Sequence, residues 1–311
     1  MNLWVEKYRP KVLKNMVLLE RTQSVLAKYI KDGDLPHLLF AGIQGTGKTT
    51  TGKVIANEMK ANFMYLNGSK EKSIDVLRTK ITKFIMKNTI TNTLKIVFID
   101  ELDGVSSAYM EALKVDIEQY SKTTRFIFGT NNISKIIAPL KSRTVAVDIV
   151  PTMEDEKKEF AMMTLKRIEY ILKSENVKYD KKFLISIIKK FFPDIRQTIT
   201  LLQRLSKEYD GDLTQVKDNV VEQFISKVDD NLFKILRSGS AKDVLKKALE
   251  LNGVTFFRDF SRKMIKHLED ESILDACIIL SDYESKMRTG CDEQITLKAC
   301  LSEMKSELKF K

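Results

Sequence analysis

Two hydrophobic periods divide this chain. In its front half, short apolar runs recur and end on small or acidic residues: "HLLFAG" at Gly42, "NFMYLNG" at Gly68, "LKIVFID" at Asp100, "RFIFGT" at Thr130 and "TVAVDIV" at Val150. Helix-length segments separate them. Runs of this length, spaced this way, predict a parallel sheet covered by helices on both faces. Beyond Pro151 the period lengthens to that of a helix. "KKFLISIIKKFF" places apolar residues at Phe183, Leu184, Ile187 and Ile188 and is ended by Pro193. "DIRQTITLLQRLSKEY" follows and stops before Asp210-Gly211. At the front of this region Thr152 and Asp155 have capping-box spacing, with Asp in place of the usual Glu or Gln. A further helical block runs from about Asp230 to the end. Its stripes, Leu245, Leu249 and Leu251, and Ile273, Leu274, Cys277 and Ile278, suit helix packing, either inside one subunit or between subunits.

Composition sharpens this division. All five prolines lie at or before Pro193, and only four glycines follow Gly129. An α/β front thus gives way to a helical rear. Apolar residues make up 43% and charged residues 31% of 311, as in a soluble globular protein of two or three domains. No apolar run is long enough to span a membrane, and "MNLWVEKYRP" is not a secretory leader. Cys277, Cys291 and Cys300 lack CxxC spacing, and His37 and His267 are the only histidines, which argues against zinc and for reduced thiols in an intracellular compartment. The net charge is +11. Residues 231–311 carry 15 basic and 13 acidic side chains, so +9 of the surplus lies in residues 1–230. A basic front half suits a polyanionic partner.

"GIQGTGKT", Gly42 to Thr49, matches the phosphate-loop pattern and sits between an apolar run and a helix-compatible one, as that motif requires. Backbone amides of such a loop wrap phosphates, and the following helix adds its dipole. The expected nucleotide contacts are Gly42, Gly45, Thr46, Gly47, Lys48, Thr49 and Thr50. Lys48 reaches the β- and γ-phosphates, and the Thr49 hydroxyl ligates Mg²⁺. "IVFIDELD" then delivers Asp100, a second Mg²⁺ ligand, and Glu101, a general base for an attacking water, to the end of a strand. ATP with Mg²⁺ is the expected cofactor pair.

Further motifs resemble those of the AAA+ ATPase subunits of sliding-clamp loaders, such as the small subunits of replication factor C and the large subunit of T-even-type phage loaders. The resemblance covers residues 2 to about 205 by motif, and the remainder by helical character. "WVEKYRP", Trp4 to Pro10, is similar to the family's opening signature and implies Val5, Tyr8 and Arg9 beside the adenine. "YLNGSKEKSIDVLRTKI" resembles the segment that begins a DNA-lining helix and implies phosphate-backbone contacts from Lys72 and Arg78. "GTNN" resembles sensor 1, with Asn131 facing the γ-phosphate. "PDIRQTITLLQ" resembles the sensor-2 helix and implies that Arg196 reaches the triphosphate from a helical lid. "KSRT" resembles the "SRC" motif, with Thr144 replacing Cys. It implies that Arg143, which has no acidic neighbour in sequence, acts in trans as an arginine finger. The phosphate loop lacks the family's two prolines. "LKVDIE" stands for the family's "LRRTME", keeping a basic residue at Lys114 and replacing the next by Val115.

By this resemblance the chain has an α/β P-loop AAA+ domain with a five-stranded parallel sheet (1–151), an all-α lid carrying sensor 2 (152–229) and an all-α oligomerisation collar (230–311). It implies an ATPase that opens a sliding clamp, grips primer–template DNA without reading its sequence, and works in a pentameric assembly with like or different subunits. Clamp contact is expected around Ser106 to Leu113. A non-hydrolysing scaffold would be expected to have lost Lys48, Glu101 or Arg143. A polypeptide-threading machine would carry an aromatic-hydrophobic-Gly pore loop, and residues 67–95 have one aromatic, Phe84, with no Gly after it. The expected location is intracellular, with no membrane partner: host cytoplasm for a phage protein, nucleus for a eukaryotic one. The absence of extensions fits a phage or small archaeal-type subunit.

Overall fold

The structure, a computed structural model, describes residues 3–69, 74–87, 93–216, 228, 230–249, 251, 253–288 and 291–311. Two compact units result, Met1–Gln215 and Val216–Lys311.

The first unit is organised by five strands: β1 (Leu38–Ala41), β2 (Asn62–Asn67), β3 (Lys95–Asp100), β4 (Thr124–Thr130) and β5 (Val145–Asp148). Their order is β2-β3-β4-β1-β5, and every pairing is parallel. Strand side chains alternate between faces. Leu38, Phe40, Ile96, Phe98 and Ile127 therefore pack on one side, with Leu26 of α2 (Glu20–Asp32) and Val54, Ile55 and Ala56 of α3 (Lys48–Glu58). On the other side Leu39, Val97, Ile99, Phe126 and Phe128 pack with Ile81 and Ile85 of α4 (Ile74–Met86) and Leu113 and Ile117 of α5 (Ser107–Tyr120). Leu140 of the short α6 (Ala138–Lys141) joins that second face. The N-terminal helix α1 (Trp4–Lys7) buries Trp4.

Three helices follow the sheet in the same unit: α7 (Glu154–Ser174), α8 (Lys181–Phe191) and α9 (Ile195–Glu208). Phe183, Leu184, Ile187 and Ile188 are the buried face of α8, as their spacing predicts. The cap of α7 differs from expectation by one residue. Helix α7 begins at Glu154, and the carboxylate that closes it is Glu156, not Asp155. Glu156 accepts from the Thr152 and Met153 amides at 2.9 and 3.2 Å, and Arg21 donates to it at 2.6 Å. The longer Glu reaches back across the turn while Asp155 stays exposed. These bonds, the Thr152 amide first, pull the Glu156 carboxyl from its ordinary 4.5 down to about 2.

The second unit is helical among its described residues: α10 (Asp230–Ser238), α11 (Ala241–Ala248), α12 (Gly253–Lys263), α13 (Asp270–Arg288) and α14 (Glu293–Glu307). Its core gathers Phe233, Phe256, Phe260, Leu280, Leu297 and Leu301. The two apolar stripes expected here split. Leu251 is buried, but Leu245, Leu249, Leu274 and Ile278 are exposed, as is Cys277.

Candidate functional site

The three interior strands β3, β4 and β1 carry the site-forming turns at their C-terminal ends, the usual ligand-binding edge of an open parallel sheet. After β1 the chain turns through Gly45 and Gly47, at φ +81° and +99°, into α3. Those angles suit glycine. A Cβ on Gly45 would also lie 1.9 Å from the Asp194 Oδ1. The N-cap of α3, Gly47, makes no side-chain cap bond. The helix therefore opens on amides with no capping side chain, a natural anion site.

Lys48, the first residue of α3, is 6% exposed. Its ammonium donates to the Gly42 and Ile43 carbonyls at 2.7 and 2.9 Å and to the Asn131 Oδ1 at 2.8 Å. Burial lowers its pKa, and Asp100 and Asp103 oppose that shift. The Thr49 hydroxyl donates to the Asp100 carboxylate. Glu101 follows in the left-handed region at φ +54°, with its amide bonded to the Asp100 Oδ1 at 3.1 Å. Non-glycine residues held there are strained, a feature that clusters at functional sites. Asp103, not among the residues expected from sequence, accepts from the Asn131 amide at 3.0 Å and the Thr130 hydroxyl at 3.1 Å. It fixes the end of β4 beside the loop.

These groups line one polar cleft of about 400 Å³: Lys48, Thr49, Asp100, Glu101, Asn131 and Arg196 face it, with Gln44, Gly45, Gly47 and Thr50. A second, more apolar cleft of about 610 Å³ shares Gly45, Gly47, Thr50 and Arg196 with it. Val5, Tyr8 and Arg9 line this one, together with Thr46 and with Met16, Arg167, Ile195 and Ile199. The last four carried no sequence signal.

The α1 segment is fastened to the helices that follow the sheet. The Trp4 amide donates to the Gln203 Oε1 at 2.9 Å, and the Lys7 ammonium and Tyr8 hydroxyl both donate to the Glu175 Oε1 at 2.7 Å. Arg167 donates to the Tyr8 carbonyl, and burial lowers its pKa. The α9 end meets the loop directly: the Arg196 amide donates to the Gly45 carbonyl at 3.3 Å. Asp194 caps α9 by accepting from the Gln197 amide at 2.9 Å, and burial raises its pKa.

Arg143 lines neither cleft. It also has an acidic partner, contrary to what its sequence neighbours imply. Glu118, 25 residues upstream at the end of α5, accepts from Nε at 2.7 Å and lies 2.5 Å from Nη2. Arg78, on α4, has its Nε 3.9 Å from the Asp116 Oδ1 of α5. Lys72 lies outside the described residues.

Residues 38–151 match the AAA family, described as ATPase family associated with various cellular activities. The replication factor C small subunit of Picrophilus torridus is 32% identical over 322 residues, covering 97% of this chain and 97% of that protein. That of Sulfolobus acidocaldarius is 32% identical over 318 residues, covering 97% and 95%. The chain belongs to the replication factor C small-subunit family. Such relatedness across nearly the full length places both units within the family, including the helical rear that carries no short motif. The Thermotoga maritima RuvB Holliday junction branch migration motor superposes with a TM-score of 0.53 over 78% of this chain and 80% of that one, at 20% identity. It shares the fold of the AAA+ module. No described helix is long and apolar enough to cross a membrane.

Proposed function

We propose that this chain is an ATPase subunit of a sliding-clamp loader used in DNA replication. One observation carries the reading: Lys48, Thr49, Asp100, Glu101, Asn131 and Arg196 converge on one polar cleft, while Arg143 is held away from it. A site complete except for a finger is what hydrolysis conditional on assembly requires.

Mg²⁺-ATP fits the residues present. Uncapped α3 amides, two left-handed glycines and a buried ammonium suit a triphosphate. A hydroxyl and a carboxylate in contact, Thr49 and Asp100, are hard oxygen ligands of the sort Mg²⁺ takes beside phosphate oxygens. Bound there, the nucleotide supplies the electrophilic γ-phosphorus and the metal neutralises its oxygens. The apolar cleft receives the base, with Val5, Tyr8 and Arg9 on its N-terminal wall and Arg167 and Ile199 on the other. Lys48 orients the β- and γ-phosphates. Glu101 accepts the proton of the attacking water at its carboxylate. Asn131 donates its amide to the γ-phosphate and orients that water. Arg196 brings the 152–229 lid onto the triphosphate, so that nucleotide state becomes domain angle. Arg143 stabilises transition-state charge in a neighbouring subunit's site.

In this reading ATP binding opens the clamp and grips primer–template DNA, and DNA-triggered hydrolysis releases the clamp. Arg78 and Lys72 contact DNA phosphates, which positions a duplex without reading it. Residues 230–311 form the collar of a pentameric assembly with other loader subunits. The test is ATP hydrolysis against protein concentration, at low salt, with and without primer–template DNA. A rate per subunit that rises cooperatively and is stimulated by DNA supports the reading. A rate independent of both, in the presence of the partner subunits and clamp, rejects it.

A further inference from the structure

We propose that Glu118 is a positioning residue for the Arg143 finger. The inference rests on the reading of Arg143 as a group that acts in a neighbour's site. Arg143 lies between α6 and β5, with 33% of its side chain exposed. Long side chains at such positions sample many rotamers, and ordering one on assembly costs conformational entropy. This guanidinium is ordered in advance. Nε donates to the Glu118 Oε1 at 2.7 Å, and Nη2 lies 2.5 Å from the same oxygen. Nη1 donates to the Pro139 carbonyl at 3.0 Å and reaches the Ser142 hydroxyl at 3.4 Å. Both anchors belong to packed elements: Leu113 and Ile117 of α5 and Leu140 of α6 share one core cluster. The edge of the guanidinium is therefore fixed by two elements whose spacing the core sets.

A stabilising role does not account for the pair. Glu118 is 53% exposed, and exposed ion pairs add little to stability. Direction is what the pair supplies. With Nε and one Nη2 proton turned to Glu118 and Nη1 turned to Pro139 and Ser142, the second Nη2 proton is the one left to present to a neighbour, and an Å of misplacement can cost about a hundredfold in rate. Glu118 touches no reacting atom, so its effect passes through Arg143.

A mixed assembly tests this. One version of the chain carries Arg143→Ala, which leaves its own site intact and removes its finger. The other carries Lys48→Ala, which removes its site and leaves its finger. With the partner subunits present, turnover by this chain then comes from interfaces where an intact site meets an intact finger. Glu118→Ala added to the finger-donating version lowers kcat about 10–100-fold, with KM for ATP changed less than about twofold. Added to the version that already lacks its finger, it causes no further loss. Glu118→Gln in the donor, which keeps an acceptor oxygen, recovers part of the rate. Thermal midpoint and sedimentation are unchanged in all variants. An undiminished rate in the donor overturns the proposal. Equal loss from either placement, or altered sedimentation, makes Glu118 structural and overturns it as well. If the unmodified mixture of the two versions is inactive while the wild-type assembly turns over, the trans reading of Arg143 itself fails, and this inference falls with it.

Discussion

The Lys48 ammonium and the Asn131 side chain meet at 2.8 Å, although 83 positions separate them in the chain. One contact thus joins the loop after β1 to the end of β4. With the Gly42 and Ile43 carbonyls it gives all three ammonium hydrogens an acceptor. A phosphate entering the cleft exchanges neutral acceptors for charged ones, which adds Coulombic attraction to bonds whose donor is already ionised.

Lys48→Ala is accordingly expected to abolish measurable ATP binding. Asn131→Ala is expected to spare binding and to lower kcat by about 10²–10³, the usual cost of losing one donor to a developing negative charge. Equilibrium binding of a fluorescent ATP analogue, beside steady-state hydrolysis, separates the two. Loss of binding in Asn131→Ala contradicts the assignment.

Gly45 is the tightest point between the loop and α9. Gly45→Ala combines a strained φ of +81° with a Cβ 1.9 Å from the Asp194 carboxylate. Strain of this kind costs about 1–3 kcal/mol, and relief requires the Asp194 side chain to leave its N-cap position or α9 to back away with Arg196. Nucleotide affinity should fall in Gly45→Ala. Asp194→Ala loses an N-cap worth about 1 kcal/mol and should raise the protease sensitivity of residues 190–200. Limited proteolysis with and without ATP reads both effects.

His37 makes stability depend on pH. It accepts the Phe126 amide at 3.0 Å through Nδ1, and burial, aided by Arg125, pushes its pKa from 6.5 to about 4. As pH falls through 6.5 the unfolded chain takes up the proton first. Stability from neutral His37 is therefore complete above pH 6.5 and drains away between 6.5 and 4. Denaturant midpoints across that window should show the slope, and His37→Gln should flatten it. An unchanged slope in the variant would place the titration elsewhere.

Phe260 is fully buried in the C-terminal unit, with the Phe233 and Phe256 rings 5.0 and 5.5 Å away. Phe260→Ala is expected to cost about 3–5 kcal/mol. Hydrogen exchange should show protection lost across 230–311 and kept in the sheet. Uniform loss would show that the two units unfold as one.

Sequence reading succeeded where a residue's place in the fold follows from its immediate neighbours. The five strands are apolar runs bounded by turn residues, and Lys48, Thr49, Asp100 and Glu101 sit in motifs that local order defines. It failed where the partner is distant. Glu118 pairs with Arg143 across 25 residues, and Gln203 meets Trp4 across 199. Neither separation is a helix or strand period, so no pattern announces them. Arg167 and Ile199 look like ordinary members of amphipathic helices until the fold turns them toward a cleft. Asp103 was within reach: it lies three residues beyond Asp100 in one acidic motif, and only its partner, the Asn131 amide, was hidden. The α7 cap shows a local limit, since Asp155 and Glu156 are adjacent and only side-chain length decides between them.

The bond from Trp4 to Gln203 has a bearing on how the protein is made. Domains form in order as a chain leaves the ribosome. A nascent chain that has released only the five strands already holds Lys48, Asp100 and Asn131, yet the apolar cleft beside them lacks the wall that Arg167 and Ile199 supply. Gln203, Glu175 and Arg167, which anchor α1, are synthesised after the sheet is complete. The newborn chain passes through an interval in which the phosphate loop is formed and the apolar cleft beside it stands open on one side, and this interval ends only when α9 emerges.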